Sequence, residues 1–423
     1  MWLLDRLLRA VVREGPLVVI DHDGSQRRYG AGTDPLTIRL TRPGTAWRIA
    51  RDPALGAGEA YMDGALVVEP PHDIRDLVLL FMRNADRAGR GIAPPNPLRR
   101  FADRLAWRLD QANSRARIGR KVRHHYDLSR QFYELFLDED RQYTMAYWRT
   151  PETTLEAAQR DKKALIAAKL HLAPGMAQGM RVLDIGCGWG GLGLFLHRHY
   201  GCEVLGVSLA PDQVRFANER AAAAGVADKV RFALIDYRDV AGTFDRITSV
   251  GMIEHVGAGH FTEYFAKTFD LLADDGVMLT HTIGRTSGPG RTDAWTRKHV
   301  FPGGYIPALS ELVEACERTG WQAADLEVLR FHYALTLHEW YRRTTAHRAD
   351  IVALYDERLF RMWQFYLAGA EQSFRSGGMV NFHLQTVKRQ GVLPMTRDYI
   401  AAETQRLIAS EPAPAWHLAE AAE

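Results

Sequence analysis

Cysteine is scarce in this sequence of 423 residues, and so are long apolar segments and any excess of one charge. The three cysteines, Cys187, Cys202 and Cys316, match neither a zinc-binding spacing nor a disulfide framework, which implies no structural metal and favours a reducing cytoplasm. No apolar run approaches the roughly 18 residues of a membrane span, and the charged N-terminal segment does not resemble a signal peptide. A formal net charge of +3 gives no overall field that would attract nucleic acid. We therefore expect a cytoplasmic protein, either soluble or peripherally bound to a membrane.

What the sequence does contain is a glycine-rich loop after a short apolar strand. Residues 182–191 read VLDIGCGWGG, so Asp184 stands just before Gly186, Gly188 and Gly190. Such glycines let a ligand approach the backbone closely, and both nicotinamide dinucleotides and S-adenosylmethionine (SAM) bind loops of this kind. A tight turn that serves only packing is the third interpretation.

The next predicted strand favours SAM. A nicotinamide site needs an acid at the end of that strand, about 20 residues on, to bind the ribose. Here the strand at residues 203–207 is followed by SLAPDQ, with no acid at its tip. The sulfonium and ammonium groups of SAM instead suit the carboxylate of Asp184.

Strands and helices alternate through most of the chain after this point. The strands are predicted at residues 182–185, 203–207, 230–235, 246–250, 277–282, 326–331 and 380–387. This alternation predicts an α/β fold with a doubly wound parallel sheet. A helical insertion at 335–374 is crowded with aromatic residues, which either line a cavity or form an ordinary helix core.

Composition divides the chain into four predicted segments. These are an N-terminal accessory α+β module at 1–88, a linker with a basic amphipathic helix at 89–123, a catalytic domain at 124–390, and a C-terminal helix with a flexible tail at 391–423. Residues 98–123 contain nine basic residues against two aspartates. A helix with this charge bias beside an apolar stripe binds an anionic bilayer, although a linker helix docked on its own protein fits equally well. Aromatic residues are not interleaved with the charges, which disfavours nucleic acid.

Several short blocks make the chain resemble one enzyme family. They are HHYD at 124–127, YTMAYW at 143–148, the glycine loop, DYRD at 236–239, GMIEHVG at 251–257 and HTIG at 281–284. These blocks resemble the cyclopropane fatty acid synthases, SAM-dependent enzymes that add a methylene across a cis double bond of a phospholipid acyl chain. The resemblance covers roughly residues 1–390 and implies a class I SAM-methyltransferase (Rossmann-like) fold with a helical lipid-binding insertion. It also implies peripheral association with the inner face of the cell membrane, on an anionic phospholipid bilayer, and allows a homodimer.

The resemblance also assigns roles to residues at matching positions. A bound bicarbonate ion would act as the base, held by Glu254, His281, the backbone of Ile283 and Tyr341, with Met145 beside it. The implied SAM-binding residues are Tyr143, Thr144, Asp184, Gly186, Gly188, Gly190, Ser208, Gln213, Asp236 and Tyr237. Without the resemblance, Glu254 would be interpreted as a cap of the helix near His260, and His281 as a structural residue.

Two positions depart from the family pattern. Many relatives carry cysteine where Met145 and Ala370 stand here. Because bicarbonate can be held through the backbone at the first position, Met145 changes the pocket wall without removing the chemistry. We expect a cyclopropane synthase, with methylation of an oleoyl phospholipid to a 10-methylene product as the alternative. A small-molecule N- or O-methyltransferase and an inactive membrane-binding module explain fewer of these features.

Overall fold

The computed structural model describes residues 1–87 and 128–410, which form two compact units. The first unit combines residues 1–87 with Arg291–Gly303 and Leu337–Met379, and the second contains residues 128–290, Gly304–Thr336 and 380–410. The predicted basic helix at 98–123, the HHYD block and the tail at 411–423 lie outside the described residues. Across those two described stretches, no helix is both long and apolar enough to cross a membrane.

The bounds of the helices and strands follow. The described helices are α1 (Trp2–Val11), α2 (Thr45–Arg51), α3 (Pro53–Met62), α4 (Ile74–Arg87), α5 (Arg130–Glu134), α6 (Leu155–Lys169), α7 (Gly191–Tyr200), α8 (Pro211–Ala223), α9 (Phe261–Leu271), α10 (Ala294–His299), α11 (Leu309–Arg318), α12 (His332–Ala346), α13 (Arg348–Leu354), α14 (Glu357–Arg375) and α15 (Asp398–Ser410). The described strands are β1 (Leu17–Ile20), β2 (Gln26–Tyr29), β3 (Leu36–Leu40), β4 (Leu66–Val68), β5 (Arg181–Ile185), β6 (Glu203–Ser208), β7 (Val230–Leu234), β8 (Phe244–Val250), β9 (Leu272–Arg285), β10 (Gln322–Leu329) and β11 (Met379–Val387).

The first unit is built on a four-stranded sheet in the order β2-β1-β3-β4. Strand β1 runs antiparallel to β2 and parallel to β3. Alternate residues of these strands, such as Leu17, Val19, Leu36 and Ile38, are buried, as expected for strands with one face on a core. Together with α1 to α4, this sheet gives the N-terminal module the predicted α+β composition.

The predicted helical insertion is present as α12, α13 and α14. Within the first unit, α14 packs against α3 and α4, and the hydroxyl of Tyr61 donates to Gln364 Oε1 at 2.9 Å. The rings of Trp340, Phe360 and Trp363 are buried. In this unit these aromatic residues form a helix core, which was one of the two interpretations of the insertion.

The second unit contains the predicted α/β sheet, with seven strands in the order β10-β11-β9-β8-β5-β6-β7. Strands β5, β6, β7, β8 and β9 are joined by parallel pairing. The prediction of a parallel sheet is wrong at one edge, where β10 and β11 are antiparallel. Leu329, the last residue of β10, pairs with Asn381 near the start of β11, so β11 begins where β10 ends and runs in the opposite direction.

Local sequence explains how the elements around the site begin and end. Helix α6 begins after Thr154, whose side chain accepts the N–H of Ala157. Helix α7 follows the glycine loop and ends at Gly201, which has a φ of 66°. Because β5, β6, β8 and β9 run parallel, their carboxyl ends lie at one edge of the sheet, where ligands bind in open α/β sheets.

Candidate active site

A cavity lies at the carboxyl ends of β5, β6 and β8, within the second unit. Its walls include most of the residues predicted to bind SAM, namely Tyr143, Thr144, Asp184, Gly186, Gly188, Ser208, Gln213, Asp236 and Tyr237. Gly190 does not line it. A Cβ added at Gly190 would lie 2.8 Å from Ala217 and from Phe232, so this glycine allows α7 to pack closely instead.

Gly188 is the loop glycine with open space beside it. Its φ is 52°, in the left-handed region, and no atom lies within 4 Å of where its Cβ would stand. At Gly186, by contrast, an added Cβ would meet Met252 at 3.1 Å. Since Gly188 also lines the cavity, its missing side chain leaves room for a ligand against the backbone.

Asp184 places a carboxyl group in the wall of this cavity. The residue is 1% exposed, and among the described residues its Oδ2 atom has no hydrogen-bond partner. Burial raises the pKa of Asp184 to about 7, and the nearby Lys162 opposes that rise. A cationic ligand would stabilise the ionised form, so Asp184 fits the sulfonium or ammonium group of SAM.

Lys162, on α6, is a cavity-supporting residue that the sequence analysis missed. Its Nζ atom donates to Gln142 Oε1 and to Thr144 Oγ1, each at 2.8 Å, and burial lowers its pKa to about 7. Gln159, one helical turn earlier, donates from Nε2 to the carbonyl oxygens of Gln142 and Thr144 at 3.1 and 2.9 Å. Two long polar side chains on the buried face of a helix were the available signal for this support.

Two other predicted SAM residues are held by neighbours along the chain. The carboxylate of Asp236 accepts from Nε and Nη2 of Arg238 at 2.9 and 2.6 Å, so this acid is already paired. The ring of Tyr237 meets the ring of Tyr264 edge-on at 5.5 Å between centroids. The cavity wall is therefore fixed at this end by local contacts.

Glu254 lies just beyond β8, with its carboxyl group bonded to the end of β9. The N–H of Ile283 donates to Glu254 Oε1 at 2.7 Å, which brings two of the predicted base-site residues together. The Oε2 atom is buried, and no described residue bonds to it. Burial raises the pKa of Glu254 to about 7, although the Ile283 bond opposes this. The carboxyl group does not cap α9, so the helix-cap interpretation is wrong.

The base-site residues lie next to the cavity, near the carboxyl ends of β8 and β9. The N–H of Gly251 donates to the carbonyl oxygen of His281 at 2.9 Å, which ties the end of β8 to β9. Gly251 lines the cavity, and so do Met252, His255 and Val256, the close neighbours of Glu254 in the chain. A carboxyl group is thus held beside the cavity by backbone contacts.

His281 is buried at 1% exposure and contacts a second histidine that the sequence analysis missed. Its Nδ1 atom lies 2.9 Å from His383 Nε2, and its Nε2 atom lies 3.4 Å from Asn381 Nδ2. Burial lowers the pKa of His281 to about 3, so the ring is neutral near pH 7. One ring N–H of the histidine pair donates to the other ring, which couples the tautomer of His281 to that of His383.

Met145 follows the cavity wall directly and is fully buried. The next residues attach to the start of α12, because the N–H of Ala146 and Nε1 of Trp148 both donate to Thr336 Oγ1, at 3.0 and 2.9 Å. His332 accepts the N–H of Trp148 at 3.0 Å. Met145 is therefore buried next to Thr144 of the cavity wall, but it does not itself line the cavity.

Tyr341 belongs to the first unit, where its hydroxyl donates to Asp73 Oδ2 at 2.9 Å. Burial raises its pKa above the ordinary value, and Asp73 adds to the rise. The second unit contains another tyrosine of α12, Tyr333, which is 7% exposed and two helical turns earlier. Tyr333 is thus the α12 tyrosine that belongs to the same unit as Glu254 and His281.

The pKa of Glu254 leads to a prediction about stability. Because the pKa is raised from 4.5 to about 7, the folded protein binds this proton more tightly than the unfolded chain does. The contribution of Glu254 to the free energy of unfolding therefore falls as pH rises from about 4.5 to 7, by about 3 kcal/mol at most. We expect Glu254→Gln to be more stable relative to the parent protein at pH 8 than at pH 5. Thermal unfolding at both pH values measures this, and an unchanged difference between the two proteins would contradict it.

Comparison with known proteins identifies relatives of this chain. The sequence profile described as "Mycolic acid cyclopropane synthetase" matches residues 113–384. The cyclopropane-fatty-acyl-phospholipid synthase of Escherichia coli is 35% identical over 345 residues, which cover 82% of this chain and 86% of that one. Tuberculostearic acid methyltransferase UfaA1 of Mycobacterium tuberculosis is 34% identical over 405 residues, or 92% and 91% of the two chains.

A solved structure shows the same fold. Mycolic acid cyclopropane synthase CmaA1, in a complex with SAH and CTAB, has a TM-score of 0.59 and 30% identity to this chain. The match covers 63% of this chain and 97% of the other. The fold is that of the class I SAM methyltransferases, as predicted, and SAM is the methyl donor. The chain belongs to the mycolic acid cyclopropane synthetase family and is a SAM-dependent enzyme.

Proposed function

We propose that the protein transfers a methylene group from SAM to a cis double bond of an unsaturated phospholipid acyl chain and closes a cyclopropane ring. The observation that carries this proposal is the buried carboxyl group of Glu254. Its Oε2 atom has no hydrogen-bond partner among the described residues, and its neighbours Met252 and His255 line the predicted SAM cavity. Names of relatives support the lipid substrate, since one is a cyclopropane-fatty-acyl-phospholipid synthase. We extend the proposal to a peripheral location at the inner face of the cell membrane and to a homodimer, as the family resemblance implies.

Different residues in and around the cavity contribute differently to SAM binding. Asp184 provides a buried negative charge, and the open backbone at Gly188 allows close approach. Lys162 and Gln159 hold the wall at residues 142–144, so that wall is positioned before a ligand arrives. When bound, SAM supplies an electrophilic methyl group and bicarbonate supplies a base.

The base site fits a small anion that shares protons. A Glu254 pKa of about 7 keeps part of this carboxyl group protonated near neutral pH, so Oε2 can donate to an anion instead of repelling it. The neutral His281 ring adds no opposing charge. We propose that bicarbonate is held by Glu254, His281, the backbone at Ile283 and Tyr341. Tyr333, on the same helix, is the competing phenol.

Tyr341 and Tyr333 can be separated by matched substitutions. If Tyr341 holds the anion, Tyr341→Phe should reduce turnover more than Tyr333→Phe does. Because the Tyr341 hydroxyl also bonds to Asp73, the stability of each variant should be measured by thermal unfolding. A larger loss of turnover in Tyr333→Phe, at equal stability, would transfer the role to Tyr333.

The alternative product is a 10-methylene acyl chain. The similarity to a tuberculostearic acid methyltransferase over 92% of this chain favours it, and so does methionine at position 145. Both products begin with methyl transfer to the same double bond. They differ in the fate of the cation on the adjacent carbon. Loss of a proton from the new methyl group with ring closure onto that carbon gives the cyclopropane, whereas a 1,2-hydride shift to that carbon followed by loss of a methyl proton gives the exocyclic methylene.

Ozonolysis of the product distinguishes these outcomes. We expect the protein, SAM and vesicles of a dioleoyl phospholipid to give an acyl chain about 14 mass units heavier that resists ozone, because a cyclopropane has no double bond. Carbon dioxide-free buffer should slow the reaction, and added bicarbonate should restore it. Distearoyl vesicles are the control and should give no product. An ozone-labile product that yields a ketone would establish the 10-methylene alternative.

A further inference from the structure

Helix α1 has a buried side and an exposed side, and the exposed side carries large apolar residues at the N-terminal end of the helix. Leu4 and Leu8, one turn apart, are 3% and 4% exposed, so they hold the helix on the first unit. Trp2 is 71% exposed and Leu3 is 41% exposed. Packing within the first unit therefore explains the two buried leucines but gives no reason for adjacent large apolar side chains in contact with water.

Exposed arginines follow Trp2 along the same side of the helix. Arg6 and Arg9 come four and seven residues after Trp2, which places them on one helical face, and Arg13 continues the row just past the helix end. Asp5 is the acid of this helix, and it already bonds to Arg9 at 3.1 Å and contacts Arg27 at 3.4 Å. The exposed side of α1 is therefore cationic as well as apolar.

Helix α2, which packs against α1, repeats this combination. Trp47 is 56% exposed, and the guanidinium group of Arg51 lies 5.2 Å from the centre of its ring. Arg42, shortly before α2, is also exposed. Two neighbouring helices of the first unit thus each expose a tryptophan with arginine close by in the chain.

Tryptophan beside arginine suits the surface of an anionic bilayer. Tryptophan rings favour the headgroup layer, and arginines bind lipid phosphates there. A second copy of the chain is a poorer partner, because two cationic faces repel each other. A nucleic acid would satisfy the arginines but offers no apolar layer for Leu3.

We propose that the exposed sides of α1 and α2 dock this protein on an anionic phospholipid bilayer. Trp2, Leu3 and Trp47 enter the headgroup layer, while Arg6, Arg9 and Arg13 contact phosphates. The inference rests on the proposed function only in that the same bilayer would present the acyl chains. It assigns membrane affinity to the N-terminal module, separately from the basic segment at 98–123.

Co-sedimentation of the full chain with vesicles tests the docking surface. The vesicles contain phosphatidylcholine with or without phosphatidylglycerol, and the apolar variant combines Trp2→Ser, Leu3→Ser and Trp47→Ser. The charge variant combines Arg6→Gln, Arg9→Gln and Arg13→Gln. We expect the charge variant to bind phosphatidylglycerol vesicles about a hundredfold more weakly, and with less salt dependence. The apolar variant should lose about tenfold or more on the same vesicles.

The matched control replaces exposed apolar residues elsewhere. Met176 and Met395, which are 63% and 103% exposed in the second unit, become serine and should leave vesicle binding unchanged. Circular dichroism and thermal unfolding establish that all variants are folded. Vesicle binding by both docking variants at the parent level would overturn the proposal. Loss of DNA oligonucleotide binding or of self-association, with vesicle binding intact, would also overturn it and assign the surface to that partner.

Failure of the docking proposal can be told apart from failure of the proposed function. With lipid dispersed in detergent, the docking variants should convert substrate at the parent rate, because no bilayer has to be found. On vesicles they should be slow. If no lipid is converted by any protein, the enzymatic proposal fails, while the sedimentation result still decides whether this surface binds membranes.

Discussion

Replacing Glu254 by glutamine is expected to reduce turnover about a hundred- to ten-thousandfold while SAM affinity stays nearly unchanged. Glutamine keeps an oxygen to accept the N–H of Ile283, so the backbone contact at 2.7 Å can persist. It removes the ability of the second oxygen to gain and lose a proton. The substitution should therefore slow proton transfer without changing the shape of the cavity.

The location of Glu254 supports this separation of effects. Its side chain bonds to the end of β9, and Glu254 itself does not line the cavity, although its neighbours at residues 250–252, 255 and 256 do. Single-turnover rates with a dioleoyl phospholipid measure the chemical step, and isothermal titration measures SAM affinity. A glutamine variant that reacts at the parent rate would remove Glu254 from the mechanism.

A second glutamate of the same region serves as the matched control. Glu263 lies on α9 with a half-exposed side chain, and its Oε2 atom lies 3.0 Å from His260 Nδ1. Glu263→Gln also removes one carboxylate but should change neither turnover nor SAM affinity. If both glutamine variants lose turnover equally, the effect reflects general charge near the site, and the specific role of Glu254 is wrong.

Local sequence predicted those parts of the fold and site that depend on neighbouring residues. The strand at 181–185 and the loop after it follow from an apolar run, an acid and closely spaced glycines, and the structure places Asp184 and Gly188 on one cavity. Strand direction at the carboxyl edge then brings Glu254 beside Ile283. Periodicity and chain order were sufficient for these placements.

Contacts between distant residues were not predictable in the same way. Lys162 supports Gln142 from another element, and His383 meets His281 across 102 positions of the chain. Each is a polar residue on a buried face, but its partner depends on packing that the local pattern does not contain. At Gly190 the motif suggested a contact with the ligand. The structure instead explains this glycine by the close packing of Ala217 and Phe232, which leaves no room for a side chain.

The antiparallel edge of the large sheet also could not be predicted from local sequence. Alternation of strands and helices gives no direction for a strand that follows a long insertion, and β11 follows three helices. The pairing of Leu329 with Asn381 shows that the chain returns at the end of β10 where it left. Strand β11 is therefore antiparallel to β10 and not parallel as expected, because the end of the insertion determines at which end of the sheet β11 begins.

Replacing Gly188 by valine should weaken SAM binding by about a hundredfold or more. Position 188 lines the cavity, and the space beside its Cα is open, so a valine side chain would occupy volume that the ligand needs. Valine at a φ of 52° is also strained, which would lower stability by about 1–3 kcal/mol. Isothermal titration measures the affinity, and thermal unfolding measures the strain.

Gly175 provides the control that separates blockage from strain. Its φ is 79°, no atom lies within 4 Å of its Cβ position, and it is absent from the cavity wall. Gly175→Val should therefore lose similar stability but keep SAM affinity. Equal losses of affinity in both valine variants would show that strain, not occupied ligand space, weakens binding.

Asp184→Asn tests the charge of the same site without changing its volume. Removing one partner of a buried charge pair costs about 2–5 kcal/mol, which corresponds to a loss of about thirtyfold or more in SAM affinity. S-adenosylhomocysteine, which lacks the sulfonium charge but keeps the ammonium group, is the comparison: a smaller loss for it would assign Asp184 to the sulfonium, and an equal loss would assign Asp184 to the ammonium. Because the pKa of Asp184 is raised to about 7, SAM should bind the parent protein more weakly at pH 5.5 than at pH 8, as protonation removes the charge. The asparagine variant should lack this pH dependence. A variant that keeps both the affinity and its pH dependence would mean that the sulfonium and ammonium groups of SAM are bound elsewhere.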